Sequence, residues 1–433
     1  MHYLADELNS VLEGTVAGPL LSALGRRLYF PKGIIAQGAE AKQSAYHANA
    51  TIGMAYQQGK PLMLSALRDQ VPELKPEETV AYAPTAGIEP VRTAWKRRVL
   101  QHNPSLSPEK ISLPVVVPGL TAGLSYMADL FLGEGDPIIL SSPCWDNYEL
   151  IFKERRGAIL REVPFFNAAG LDLTFLGNAL EEAAKTGTVR LVLNFPHNPS
   201  GYSLREAEAE ALVVRLQEIA QGGADVLVIC DDAYFGLFYE SECLQESLFS
   251  RLAQAHERIL AIKIDGPTKE DYVWGFRMGF ITFGSRGLQA GHYEALVKKL
   301  MGAIRSSVSC ANTSAQYLLL KILQDERTAP EKKQYYTLLQ GRYQRVKRFL
   351  AEHAPPPQLR PLPFNSGYFM SFRCIGMDAE TLRRELLTKH GIGTISFGET
   401  YLRVAFASID EEQIFGVYQA IYDAARNLGP AHE

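Results

Sequence analysis

Long apolar runs are missing from this chain: none approaches the roughly 20 residues needed to cross a bilayer, so no membrane role is expected. Positive charge is not in excess either. The 44 Lys and Arg residues are outnumbered by 48 Asp and Glu, for a formal net charge of −4. That leaves no electrostatic footprint for nucleic acid. Cysteine is sparse. Cys144, Cys230, Cys243, Cys310 and Cys374 are widely scattered, with no C-x-x-C pair and no Cys/His cluster. Neither a disulfide framework nor a metal site is suggested, and a reducing compartment, the cytoplasm, is the natural setting. No basic stretch followed by a long apolar run opens the chain, and Gly18-Pro19 interrupts its most apolar early part, so no secretory signal is expected. No internal repeat or low-complexity segment is visible.

What is present is an ordinary globular composition, 46% hydrophobic and 21% charged over 433 residues, enough for two or three domains. Residues 1–48 read as an arm that packs on something else, assigned in part to a small domain. From about Pro114 to Phe283, seven short apolar runs alternate with helical patterns. They begin with Val115-Val116-Val117 and Pro137 to Leu140 and end with Ile259 to Ile262 and Phe280 to Phe283. Such alternation predicts an α/β domain with a mainly parallel seven-stranded sheet between helices. The runs are continuously apolar, as strands covered on both faces are. After Ser285 the pattern is mostly helical, and from Asn365 onward it reads as α+β. The expected division is an arm over 1–48, a large domain over 49–325 and a small C-terminal domain over 326–433.

In open α/β sheets ligands collect at the carboxyl ends of the strands. After Val117 come Pro118-Gly119-Leu120-Thr121, where a helix begins; this is either a plain cap or a phosphate cradle of free N–H groups with the Thr121 hydroxyl beside it. After Leu140 comes Trp145, one of three tryptophans, either core filler or a flat surface on which a ring stacks. After Leu193 comes the rigid loop Asn194-Phe195-Pro196-His197-Asn198-Pro199-Ser200-Gly201, which fixes the Asn198 amide. After Cys230 come Asp231-Asp232-Ala233-Tyr234. A carboxylate at the end of a buried strand calls for a positive partner, and a pyridinium nitrogen is one. Last comes Asp265-Gly266-Pro267-Thr268-Lys269, with Arg277 eight residues further on. The lysine is a candidate Schiff-base amine and the arginine a bidentate phosphate ligand. Together these groups describe a planar, phosphorylated, cationic heterocycle with an aldehyde: pyridoxal 5′-phosphate.

From about Asn49 to Phe406 the chain resembles the class I/II aminotransferases, fold-type I pyridoxal-phosphate enzymes of the aspartate aminotransferase superfamily. His197-Asn198-Pro199-Ser200-Gly201 resembles the family's His-Asn-Pro-Thr/Ser-Gly motif, and Asp231-Asp232-Ala233-Tyr234 its Asp-x-Ala-Tyr motif. Lys269 and Arg277 match its lysine-to-arginine spacing. Lys263, the rival lysine, has Asp271 at that spacing. By resemblance, Asp231 partners the pyridine nitrogen and Asn198 and Tyr234 contact the phenolic oxygen. Tyr82 would reach the phosphate of a neighbouring subunit, which implies a homodimer with shared active sites. Leu402-Arg403-Val404-Ala405-Phe406 resembles the segment whose arginine grips the substrate α-carboxylate. Asn49 to Gly53 resembles the segment over the active site, with Gly53 and Asn198 near substrate. Ala303 to Ser309 resembles the segment whose arginine, here Arg305, binds a distal carboxylate across the dimer. One position departs from the pattern: Gly266 stands where the family carries a phosphate-binding serine, and Thr268 is the candidate replacement.

The resemblance implies transamination between an L-amino acid and a 2-oxo acid through a Schiff base on Lys269, with Lys269 as the proton carrier, in amino-acid metabolism. A pyridoxal-phosphate lyase or decarboxylase on the same fold is the alternative. A ligand-sensing regulator would need a DNA-binding domain for which there is no room before Asn49. A catalytically dead homologue would not be expected to keep Lys269, Asp231 and Arg403 together.

Overall fold

A computed structural model of the chain describes residues 2–12, 27, 34–51, 53–167 and 170–429. Much of the expected N-terminal arm, including Phe30 to Gly33, therefore lies outside the described residues, as does Ile52 of the segment from Asn49 to Gly53.

The seven apolar runs form one sheet. Its strands are β1 (Val115–Val117), β2 (Pro137–Ser142), β3 (Ile159–Pro164), β4 (Thr188–Asn194), β5 (Asp225–Asp231), β6 (Ile259–Asp265) and β7 (Gly279–Gly284), in the order β1-β7-β6-β5-β4-β2-β3. All pairs are parallel except those of β7, which runs antiparallel to both β1 and β6. The central strands are buried almost throughout. β3, at the edge, is largely exposed, and its Arg161 and Glu162 suit an edge that must not pair with another chain.

Two features differ from the sequence reading. The sixth run was expected to end at Ile262, before a charge. β6 continues to Asp265 because Lys263 is matched inside the sheet by Asp232 and Asp265. A helix over Leu173–Ala184, absent from the sequence reading, fills the connection from β3 to β4. Its signals were present: Asp172 caps it by accepting from the Thr174 amide at 2.9 Å, and Leu176 and Leu180 face the core one turn apart.

Further along, the chain forms helices Ala290–Arg305, Thr313–Gln324 and the long Thr328–Glu352. A second sheet follows, of β8 (Leu359–Pro361), β9 (Met370–Cys374), β10 (Ile395–Phe397) and β11 (Tyr401–Val404), in the order β8-β9-β11-β10 and antiparallel throughout. Early residues join this part of the molecule. Ala48 and Asn49 pair in parallel with Ile392 and Gly393, and Gln37 exchanges hydrogen bonds with Ser396. Among the described residues no helix is long and apolar enough to cross a membrane, and no group of His, Cys, Asp and Glu is arranged to hold a metal.

Candidate active site

The carboxyl ends of β1, β2, β4, β5 and β6 lie at one edge of the large sheet. The antiparallel run of β7 brings the residues before it, including Arg277, to the same edge. All five strand ends singled out in the sequence thus share one edge.

At the end of β1, Gly119 sits at φ +92°, in the region that favours glycine. It caps the helix Leu120–Phe131. A Cβ at Gly119 would stand 2.9 Å from an Arg277 guanidinium nitrogen. The helix start, with Leu120 buried and Thr121 half-buried, thus lies beside the exposed guanidinium of Arg277. Free amide donors and a guanidinium side by side form an anion site. At Gly266 a Cβ would stand 2.9 Å from the Met278 carbonyl oxygen and 3.0 Å from the Gly279 Cα. The close approach of β7's start to this turn explains why no serine occupies the position. Thr268 is buried two residues later.

At the end of β5, Asp231 is 3% exposed. Its Oδ2 accepts a hydrogen bond from the Tyr148 hydroxyl at 2.7 Å, while Oδ1 is buried and accepts none. Burial pushes its carboxyl up to about 6, against the lowering effects of the Tyr148 hydrogen bond and of Lys269. Tyr148 was missed in the sequence, where it read as part of a helical pattern. The chain from Glu149 to Glu154 is a π-helix, a form that recurs at functional sites. Trp145 is half-buried and lies edge-on to Tyr148, ring centroids 5.5 Å apart.

Lys269 lies in the short helix Pro267–Glu270. Its Nζ is 4.6 Å from the centre of the Tyr234 ring, and its carbonyl accepts from the Tyr368 hydroxyl at 3.2 Å. Burial draws its amine down to about 8; Asp231 works against that and Arg277 adds to it. Lys263 is 1% exposed and ion-paired with Asp232 and Asp265, so it has no free amine to offer.

Asn198 is buried. Its backbone N–H donates to Asn194 Oδ1 at 2.8 Å, and the Asn194 amide donates to the Asp231 carbonyl at 2.7 Å. Arg403, on β11, donates to Asn198 Oδ1 at 2.9 Å and to the Thr51 carbonyl at 3.1 Å. Its guanidinium stacks 4.2 Å from the Phe369 ring. A Cβ on Gly53 would stand 3.6 Å from both Phe369 and the Tyr234 hydroxyl, which puts Gly53 at the same cleft. Two residues were not brought in. Tyr82 is 93% exposed, and Arg305, at the end of its helix, is exposed.

His197 braces the loop from beneath, its ring nitrogens 2.8 Å from the Ser141 and Ser200 hydroxyls. Burial depresses it to about 3, so it stays neutral. In the unfolded chain an ordinary histidine takes up its proton below about 6.5. The stability it contributes is therefore complete above that pH and is lost as pH falls toward 3. H197Q is expected to flatten the fall of stability between pH 6.5 and 3 by up to one proton, measured by urea denaturation across that range.

The family model for aminotransferases of class I and II matches residues 53–421. The chain belongs to that family. It is 25% identical to the arginine–pyruvate transaminase of Pseudomonas aeruginosa over 389 residues, 86% of this chain and 89% of that protein. It is 24% identical to a probable aspartate/prephenate aminotransferase of Aquifex aeolicus over 79% of this chain and 82% of that one. Among solved structures, an aminotransferase from Anaerococcus prevotii superposes with a TM-score of 0.82 at 22% identity, covering 92% of this chain and 98% of its own. The kynurenine aminotransferase of Pyrococcus horikoshii gives 0.80 at 16%, covering 96% and 99%. These likenesses bear out the α/β fold with its seven-stranded sheet and smaller strand domain. The protein is a pyridoxal-phosphate-dependent transaminase, acting on amino acids and 2-oxo acids. The residues at the sheet edge fit that cofactor. A buried carboxylate oxygen awaits a donor, an amine has been drawn down to about 8, and a guanidinium stands against a helix start.

Proposed function

We propose that this aminotransferase works through Lys269. Its amine would hold the aldehyde carbon of pyridoxal phosphate and, once displaced by the substrate amine, carry the proton from the substrate α-carbon. The observation that carries this is the enclosure of Lys269 against Tyr234, with its amine at about 8. A lysine with that affinity for protons exists partly as the free base at neutral pH and can both attack and accept.

The other residues supply binding and charge. Arg277, the amides from Gly119 to Thr121, and the Thr121 and Thr268 hydroxyls would take the phosphate. Asp231 would receive the pyridine N–H on its free Oδ1, Asn198 and Tyr234 would reach the phenolic oxygen, and Trp145 would hold the ring plane. When bound, the cofactor supplies an electron sink for the pair left as the α-proton departs. Arg403 would grip the substrate α-carboxylate, with Gly53 leaving room above it. Burial lowers Arg403 only to about 10, so it stays charged at neutral pH. R403L is expected to cut kcat/KM by roughly a hundredfold, mostly through KM, the loss of one or two charge-assisted hydrogen bonds. Steady-state kinetics with a competent donor checks this.

The exposure of Tyr82 and Arg305 supports a homodimer in which each reaches the neighbouring subunit's site, Tyr82 at the phosphate and Arg305 at a distal carboxylate. The same reading places the domain limits at 48/49 and 325/326 and the enzyme in the cytoplasm, in amino-acid metabolism. The substrates in the relatives' names, arginine with pyruvate, aspartate or prephenate, and methionine, differ from one another, so the donor needs direct measurement. The test is a panel of amino donors against 2-oxoglutarate and pyruvate with the purified protein. Transamination yields one oxo acid per aminated acceptor and no ammonia. Release of ammonia or carbon dioxide without acceptor consumption would make the protein a lyase or decarboxylase instead.

A further inference from the structure

Lys269 is held by a turn of only four helical residues, Pro267–Glu270, which begins at a glycine. So short a helix does not fix its own orientation. What fixes it is visible on the helix Glu89–His102, whose Trp95 and Arg98 lie one turn apart on one face. Trp95, 1% exposed, donates from its indole nitrogen to Asp265 Oδ1 at 2.9 Å and stacks on Phe280 at 4.2 Å. Asp265 immediately precedes the turn. Arg98, 8% exposed, makes a two-pronged pair with Asp271 at 2.8 and 3.1 Å and also meets Glu270. Those two carboxylates immediately follow Lys269. The Arg98 guanidinium lies 4.9 Å from the centre of the Trp95 ring, so the two grips support one another. Lys332, from the helix Thr328–Glu352, adds a second cation to the same carboxylates at 2.9 and 3.1 Å.

We propose that Trp95 and Arg98 are positioning residues for Lys269, clamping both ends of its turn so that the amine is presented to the cleft in one orientation. Neither touches the cleft residues Asp231, Tyr234 or Arg403. A two-ended clamp matters here because Lys269 must leave its first position, act on the substrate and return, and a small displacement of a reacting group costs rate steeply. Gly266, extended, has no side chain with which to cap the turn itself.

The proposal rests on Lys269 being the cofactor's lysine, so the experiment separates the two. Parent, W95F and R98K proteins are loaded with pyridoxal phosphate and reduced with borohydride, and the modified lysine is identified and quantified by peptide mass spectrometry, with kcat, KM and Tm measured alongside. W95F keeps the ring and loses the indole N–H; R98K keeps the charge and loses the paired geometry. Both variants therefore spare the core, whereas R98M risks failing to fold. The expected result is modification at Lys269 in the parent. In both variants kcat falls tenfold or more while the donor KM changes less than threefold, and trapping on Lys269 is slower at unchanged cofactor content. Parent-like kcat and trapping in both variants would overturn the clamp. So would a fall in kcat that tracks Tm alone. Modification at another lysine in the parent would overturn both the clamp and the role of Lys269.

Discussion

K269A is expected to lose turnover by on the order of 10⁴-fold or more, because the residue is proposed to serve as both nucleophile and proton carrier. K269R should fare no better: a guanidinium stays protonated and neither attacks nor accepts. The geometry makes the result specific to this lysine. Lys263 lies in the same stretch and is more deeply buried, but two carboxylates hold it as an ammonium. Lys269 has one carboxylate in range, Asp231, and a guanidinium, Arg277, that opposes it. The same contrast predicts a titration. In the protein freed of cofactor, acylation of Lys269 should reach half its maximal rate near pH 8, well below the roughly 10.4 of an ordinary lysine. K269A protein in which borohydride still fixes the cofactor, or which keeps more than a few per cent of parent turnover, would remove Lys269 from its proposed role.

The sequence showed the sheet edge well because its residues report on it locally. Alternation of apolar runs located the strands, and the residues that follow them, Gly119, Asn198, Asp231 and Lys269, point together to one ligand. What the sequence did not show is contact between segments distant along the chain. Tyr148 looks like any aromatic in a helical pattern until its hydroxyl is found on Asp231, 83 residues away. Tyr368 is likewise unremarked in the sequence and reaches the Lys269 carbonyl across 99 residues. The Asp231-Asp232 pair was separable only by motif. In the structure Asp231 is the last residue of β5 and Asp232 the first beyond it; Asp232 turns to Lys263 and Ser247, which leaves Asp231 to the cleft. Tyr82 and Arg305 are exposed on the chain, and the roles proposed for them need a second subunit.

Asp231 carries the second large effect. D231A is expected to cut turnover by on the order of 10³-fold, the scale for removing a fixed charge aimed at the reacting group. D231N should lose nearly as much although it fills the same space, since an amide cannot hold a pyridinium proton by charge. Burial has already brought the carboxyl to about 6, near the working range. Below that pH Asp231 takes up a proton and ceases to be an anion, so cofactor affinity should weaken as pH falls through about 6. Tyr148 holds that value down by donating to Oδ2. Y148F leaves the carboxylate buried with one donor fewer, which pushes its proton affinity up and moves the loss of cofactor affinity to higher pH. Equilibrium binding of the cofactor between pH 5 and 8 tests all three statements. The parent should lose affinity more steeply than D231N by one proton, which cancels any titration of the cofactor itself, and Y148F should show the same slope displaced upward. Parent and D231N curves that run parallel would mean Asp231 is not the group that faces the ring nitrogen. In that case the unpartnered oxygen at the end of β5 would need another explanation.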